Sequence, residues 1–276
     1  MNKFPLLSAF TLAAAVVAAN AAQASIVSLQ NVTASWINSV PSAPDVTVSG
    51  NSTTAPRARW GDPASPNTLQ SGYNFGVASQ PIDFTLSAPP SASATNLIGT
   101  FTHLNYPIYP PSLESITLRL VADVFVGVVK VGDQLSFDYG FTHWETTNDP
   151  DDHKTGETCA NGQPNDQGVN ANGCADRVTL AWKTTSKDFL IDSSTYTLNV
   201  MGFSSDLAGL NPSVQFWTKE KFSNNAYIVG NVALRSEVEE GGGTPTGTAP
   251  EPGTLALIGM GLLGAAMARR RKSESA

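Results

Sequence analysis

Two stretches of strict alternation constrain the fold most. In Ile116-Thr117-Leu118-Arg119-Leu120-Val121-Ala122-Asp123-Val124 the even positions are apolar, and Thr117, Arg119 and Asp123 take the other side. In Leu135-Ser136-Phe137-Asp138-Tyr139-Gly140-Phe141 the odd positions are apolar, and Ser136 and Asp138 alternate with them. A period of two is the side-chain repeat of a strand with one face on a core. Val178 and Leu180, Tyr196 to Val200, and Val214 and Phe216 repeat the pattern, and Ala226 to Leu234 reads as a last strand. Earlier strands are expected at Ile26 to Ile37, Asn74 to Leu86 and Leu97 to Asn105. Turn-formers separate these runs at Pro41 to Pro44, Gly61 to Pro66, Pro89-Pro90, Pro107 to Pro111 and Val131-Gly132-Asp133. No stretch of the body keeps a helical period. The pattern predicts an all-β chain, a single β-sandwich or jelly-roll-like domain over residues 25–236. A charged fraction of only 14% fits short strands and turns better than charged helices.

The ends do not share this pattern. Lys3 precedes a run from Phe4 to Ala19 that is apolar apart from Ser8 and Thr11, and Ala22-Gln23-Ala24 follows. A basic start, an apolar stretch and a small-x-small site predict a secretory signal peptide over residues 1–24, cut after Ala24. At the other end, residues 237–249 form a Gly/Thr/Pro linker. Pro250-Glu251-Pro252 comes next, then an apolar run from Gly253 to Ala268, then Arg269-Arg270-Arg271-Lys272. The run is short for a membrane-spanning helix, but bilayer thinning lets such a segment cross, and the basic cluster would stay on the cytoplasmic side. The prolines hold the segment before it extended, where an enzyme can read it.

This tail resembles the PEP-CTERM sorting signal of Gram-negative envelope proteins over residues 250–276. The resemblance implies exosortase as a partner, an inner-membrane-anchored precursor, and transfer to the cell surface or extracellular matrix. Removing the first 24 and last 24 residues takes away five of 16 basic and one of 23 acidic residues, leaving a formal charge of −11. So acidic a body has nothing to neutralise phosphates, and nucleic acid is excluded as the main partner.

Cys159 and Cys174 lie in the body. An oxidising compartment predicts that they pair, closing a loop worth roughly 3 kcal/mol in the chain-entropy model. A zinc pair lacks histidines at the right spacing, and a nucleophilic thiol lacks a base other than His153, near only in sequence. The loop and its flanks carry Glu145, Asp149, Asp151, Asp152, Glu157, Asp166 and Asp176. Hard oxygen ligands of this kind suit calcium, with Glu145, Asp149, Asp151 and Asp152 as the candidate set. A solvated polar loop is the competing reading, and no other cofactor is expected.

His103 and His143 sit in near-identical contexts, Phe101-Thr102-His103-Leu104-Asn105 and Phe141-Thr142-His143-Trp144-Glu145. Each ends a predicted strand, which would put its ring at a sheet edge, bonded to a loop carbonyl or carboxylate. Thr102-His103-Leu104-Asn105 resembles the signature of the THxN family of PEP-CTERM proteins. Glu145-Thr146-Thr147-Asn148 and Asn172-Gly173-Cys174-Ala175-Asp176-Arg177-Val178-Thr179 are similar to that family too, and Arg59-Trp60-Gly61-Asp62-Pro63 followed by Ser71-Gly72 is similar to the related choice-of-anchor domains. The family pattern expects Pro where Thr147 stands. The resemblance implies an exported β-rich protein of the envelope or matrix, made alongside exopolysaccharide genes. It carries no catalytic residues.

The body shows no Gly-x-Ser-x-Gly elbow, no His-Glu-x-x-His and no phosphate loop. A non-enzymatic surface or matrix protein of exopolysaccharide or biofilm is the leading expectation. A carbohydrate-binding module is the alternative, with Trp36, Trp60, Trp144, Trp182 and Trp217 to stack on sugars. A hydrolase pairing Glu145 with an aspartate is the weakest.

Overall fold

The computed structural model describes residues 24–66, 69–87, 90–146, 157–181 and 187–236. The expected signal peptide, linker and sorting tail therefore lie outside the described residues, apart from Ala24. Among those described, the chain is all β, with one short 3-10 turn at Gly168–Asn170 and no α-helix.

The strands are β1 (Ser25–Val40), β2 (Val46–Ser49), β3 (Arg57–Trp60), β4 (Asp62–Pro63), β5 (Ser71–Val77), β6 (Ile82–Leu86), β7 (Asn96–Asn105), β8 (Ile108–Tyr109), β9 (Ser115–Val126), β10 (Val129–Trp144), β11 (Asp176–Ala181), β12 (Phe189–Ile191), β13 (Ser194–Ser204), β14 (Gln215–Thr218) and β15 (Phe222–Leu234). One curled sheet runs β14-β11-β10-β9-β1-β6 and the other β12-β13-β15-β7-β5-β3-β2, while β4 and β8 pair separately. Neighbouring strands pair antiparallel, so each can bury one face.

The alternation settles which face. Leu118, Leu120, Ala122 and Val124 of β9 and Phe137, Tyr139 and Phe141 of β10 point into a single apolar core. The two sheets meet there through rings. Phe101 of β7 stacks on Phe141 of β10 at 5.6 Å and 6°, and Trp36 of β1 packs on Tyr73 of β5 at 5.7 Å. On the outward side of β9 and β10, Arg119 donates two hydrogen bonds of 2.7 Å to the Asp138 carboxylate. Asp123 is also on that side but is covered, accepting from Asn31 and Gln134, with Lys130 3.1 Å away.

The expected strand Asn74 to Leu86 is two strands. β5 ends at Val77 and β6 begins at Ile82, and they belong to different sheets. Gln80-Pro81 lies between them, and proline has no N–H for a ladder. The turns expected at Gly61 to Pro66 and Pro107 to Pro111 contain the small β4–β8 ladder. Gly61 enters it at φ +71, and a Cβ there would strike Ile108.

Candidate functional site

His103 and Asn105 share a face of β7 with Phe101, because they lie two and four residues on from it. That face is the core side, and both are fully buried. Thr102 points the other way, where its hydroxyl bonds Asn225 Oδ1 at 2.7 Å near the surface. β7 lies between β15 and β5, and β10 between β9 and β11. The histidines are thus not at sheet edges, as the strand ends suggested, but face each other across the two sheets. Their ring centres are 5.0 Å apart and nearly perpendicular.

Three carboxylates join them. Glu145 follows β10, with Oε2 3.1 Å from His143 Nε2. Asp176 opens β11, fully buried, with Oδ2 3.9 Å from the same nitrogen. Glu220, also buried, sits in the turn between β14 and β15. Two triads result, His103–His143–Asp176 and Glu145–Asp176–Glu220, each with one ligating atom per residue and all those atoms within 4.8 Å of one another. Asp176 belongs to both.

The Thr218 contacts assign a tautomer to His103. Thr218 Oγ1 lies 3.3 Å from the Asp176 carbonyl, which can only accept, so the hydroxyl hydrogen points there. His103 Nδ1, 2.8 Å from the same Oγ1, must then carry the proton and donate. Nε2 is left with a lone pair, buried and without a hydrogen-bond partner. Asp176 Oδ1 accepts from the backbone N–H of Thr146 at 2.7 Å and lies 2.9 Å from its hydroxyl, whereas Oδ2 has no hydrogen bond of ordinary geometry. Glu220 lies alongside Asn105 and Asp176, yet neither of its oxygens receives a hydrogen bond of ordinary geometry. Asn105 donates to the Thr218 carbonyl at 3.1 Å and leaves its own Oδ1 without a donor.

Burial dominates the electrostatics. It holds His103 well below the usual imidazole range, helped by His143, and lowers His143 against the pull of Asp176. It raises Asp176 well above the usual carboxylate range, with Glu145 and Glu220 adding to the effect. Glu220 is pushed up to about 8 by burial and then by Glu145. The Tyr73 hydroxyl, 2.7 Å from His143 Nδ1, is raised by burial, then by Asp176 and Glu145, and stays protonated.

The remaining motif residues frame this cluster. Trp60 of β3 stacks on His103 at 5.9 Å and 22°. Ser71 of β5 accepts from the Tyr106 N–H and donates to the Tyr106 carbonyl, fixing the chain as it leaves β7. A Cβ on Gly72 would strike the Ala58 carbonyl, so β3 and β5 approach closely only with glycine there. Cys159 and Cys174 are bonded, with Cα atoms 5.5 Å apart. Asn170 orders their polar loop from within, donating to the Gln163 and Pro164 carbonyls and accepting from Asn161 and the Ala175 N–H. Thr146 donates to the Cys174 carbonyl and Asn172 to that of Glu220, joining the stapled loop to the cluster.

Of the expected calcium ligands, Glu145 lies in the cluster, while Asp149, Asp151 and Asp152 fall outside the described residues, as does Asn148. Of the tryptophans, Trp36 and Trp60 are core residues, Trp182 is outside the described residues, and Trp144 is 43% exposed. Trp144, Arg177 and Trp217 face one another across β10, β11 and β14. The Arg177 guanidinium lies 4.6 Å from the Trp144 ring and 5.6 Å from the Trp217 ring.

Residues 248–272 match the PEP-CTERM protein-sorting motif. The chain carries a PEP-CTERM sorting signal. It is therefore an exported protein, a membrane-passing precursor sorted by exosortase. The motif covers Pro250-Glu251-Pro252 and Arg269-Arg270-Arg271. No curated protein matches the chain.

Proposed function

We propose that this PEP-CTERM chain is a non-enzymatic protein of the cell surface or extracellular matrix, of THxN type, whose sandwich or jelly-roll body is set free or displayed among exopolysaccharide once exosortase removes its tail. The observation that carries the reading is the sorting signal at 248–272 behind a β-rich, strongly acidic body. The burial of His103, His143 and Asp176 supports a non-catalytic role, because a polymeric substrate has no route to fully buried side chains. Intact-mass measurement with and without exosortase tests the processing. The mature chain is expected to lack the apolar run and the Arg cluster. Replacing Pro250, Glu251 and Pro252 by alanine is expected to leave the tail in place even when exosortase is present. An unchanged C-terminal mass in cells with and without the enzyme would sink the proposal.

A second reading is favoured by the Trp144–Arg177–Trp217 ladder. It offers a sugar ring an aromatic face beside a guanidinium, and cation–π contact holds the three side chains in register. Under this reading the body binds extracellular polysaccharide, and Trp144→Ala is expected to weaken retention in polysaccharide affinity electrophoresis at least tenfold. Equal retention of wild type and variant would remove this reading and leave the first standing.

A further inference from the structure

Five buried polar atoms lie on the residues of the two triads and on Asn105, where β7, β11 and the β14–β15 turn meet. They are His103 Nε2, Asp176 Oδ2, both Glu220 oxygens and Asn105 Oδ1, none with a hydrogen bond of ordinary geometry, although Glu220 lies within reach of Asn105 and Asp176. Buried polar groups in folded proteins are nearly always satisfied, so five together call for an explanation. Lone pairs facing lone pairs in a low-dielectric interior repel unless something positive lies between them. A proton can bridge two of them. A divalent cation can bridge four to six.

We infer that the His103–His143–Asp176–Glu145–Glu220 cluster is a binding site for one divalent transition cation of the zinc class, a closed site that clamps the two sheets together beside the disulfide loop. The chemical class follows from the donors. Calcium and magnesium take oxygen ligands, whereas two imidazoles with carboxylates suit zinc and its neighbours. The surroundings match a metal-ligating histidine: the far nitrogen of His103 donates to Thr218, which is itself anchored on the Asp176 carbonyl, so the ring is held with Nε2 free to ligate. Asp176, common to both triads, is the central ligand. His143 now donates to Glu145 or accepts a cation, since Tyr73 can serve its Nδ1 in either tautomer. The consequence is mechanical. Ligands from β7 in one sheet and from β10 and β11 in the other become one unit, and Glu220 ties in the turn that the stapled loop touches through Asn172.

The test uses the full chain in detergent, stripped with chelator, then titrated with Zn2+ and, separately, Co2+ and Ca2+. Expected are one equivalent of zinc retained through gel filtration and visible absorption bands on loading with cobalt. Asp176→Asn and Glu220→Gln should each lower zinc affinity at least tenfold. Thr218→Val, which frees the His103 tautomer, should lower it about 10- to 100-fold without removing a ligand. Circular dichroism accompanies every variant; Glu220→Gln, in a turn, serves if the Asp176 change prevents folding. A folded wild-type chain that takes up neither zinc nor cobalt overturns the proposal in favour of carboxyl groups sharing protons. Uptake unaffected by the variants means an adventitious ion only, and calcium binding without zinc binding overturns the chemical class.

Discussion

Phe101→Ala is expected to destabilise the body by about 3–5 kcal/mol, the range for removing a large buried ring from a core that cannot fully collapse. Phe101 is completely buried and is the ring on which the two sheets converge. It touches Tyr73 at 4.7 Å in its own sheet and Trp36, Phe141 and Phe216 of the other sheet at 6.3, 5.6 and 6.2 Å, with Phe203 at 5.4 Å. A hole there removes contacts from both layers at once. Against a total stability on the order of 5–15 kcal/mol, the loss is a large fraction. For a body of this length it would lower the melting temperature by about 10 °C. In urea the midpoint should fall with little change in slope, since the same surface is exposed on unfolding. Thr102→Ala is the control, one residue along and facing outward, and should cost no more than about 0.5 kcal/mol. Comparable losses for the two variants would mean that the sheets do not meet through this ring.

That contrast also shows where the sequence was readable. Alternation identified the inward faces of β9 and β10 because each strand carries three or more apolar repeats. It failed at Asn74 to Leu86, where alternation resumes after Ser79-Gln80-Pro81 and so hides a passage from one sheet to the other. It could not find β2, β3, β8 and β12, which have two to four residues each and too few repeats to define a period. The site was half legible. His103, Asn105, His143 and Glu145 stood out as a motif, but their position between the sheets depends on strand order, and sequence spacing carries no information about that. Asp176 read as one more carboxylate beside a polar loop. Glu220 gave no signal, because Lys219-Glu220-Lys221 is what a solvated turn looks like. Only the pairing of Thr218 with Asp176 brings that turn over the histidines.

The same carboxylate supplies the other large effect. Glu220→Gln is expected to narrow the stability gap between zinc-loaded and chelated protein, and to narrow it from both ends. At free zinc a thousandfold above the dissociation constant, the loaded wild-type chain should be about 4 kcal/mol more stable than the chelated one. In the chelated state the wild type holds Asp176 Oδ2 and both Glu220 oxygens buried without a hydrogen bond of ordinary geometry, a cost that a bound cation would offset. The substituted amide brings two N–H donors to that place and cannot ionise, so it adds no negative charge beside Glu145 and Asp176 at any pH. The chelated variant should therefore exceed the chelated wild type by about 1–2 kcal/mol, as happens when a binding residue is exchanged for one that suits the unliganded fold. The loaded variant should fall short of the loaded wild type, having lost a ligand. Thermal unfolding of both proteins, each with zinc and with chelator, reads all four values. If Glu220→Gln weakens the chelated chain, the Glu220 carboxylate is already satisfied without metal. A merely structural glutamate would lower both states alike and leave the gap unchanged, so it is the crossing of the two curves that identifies a cation ligand.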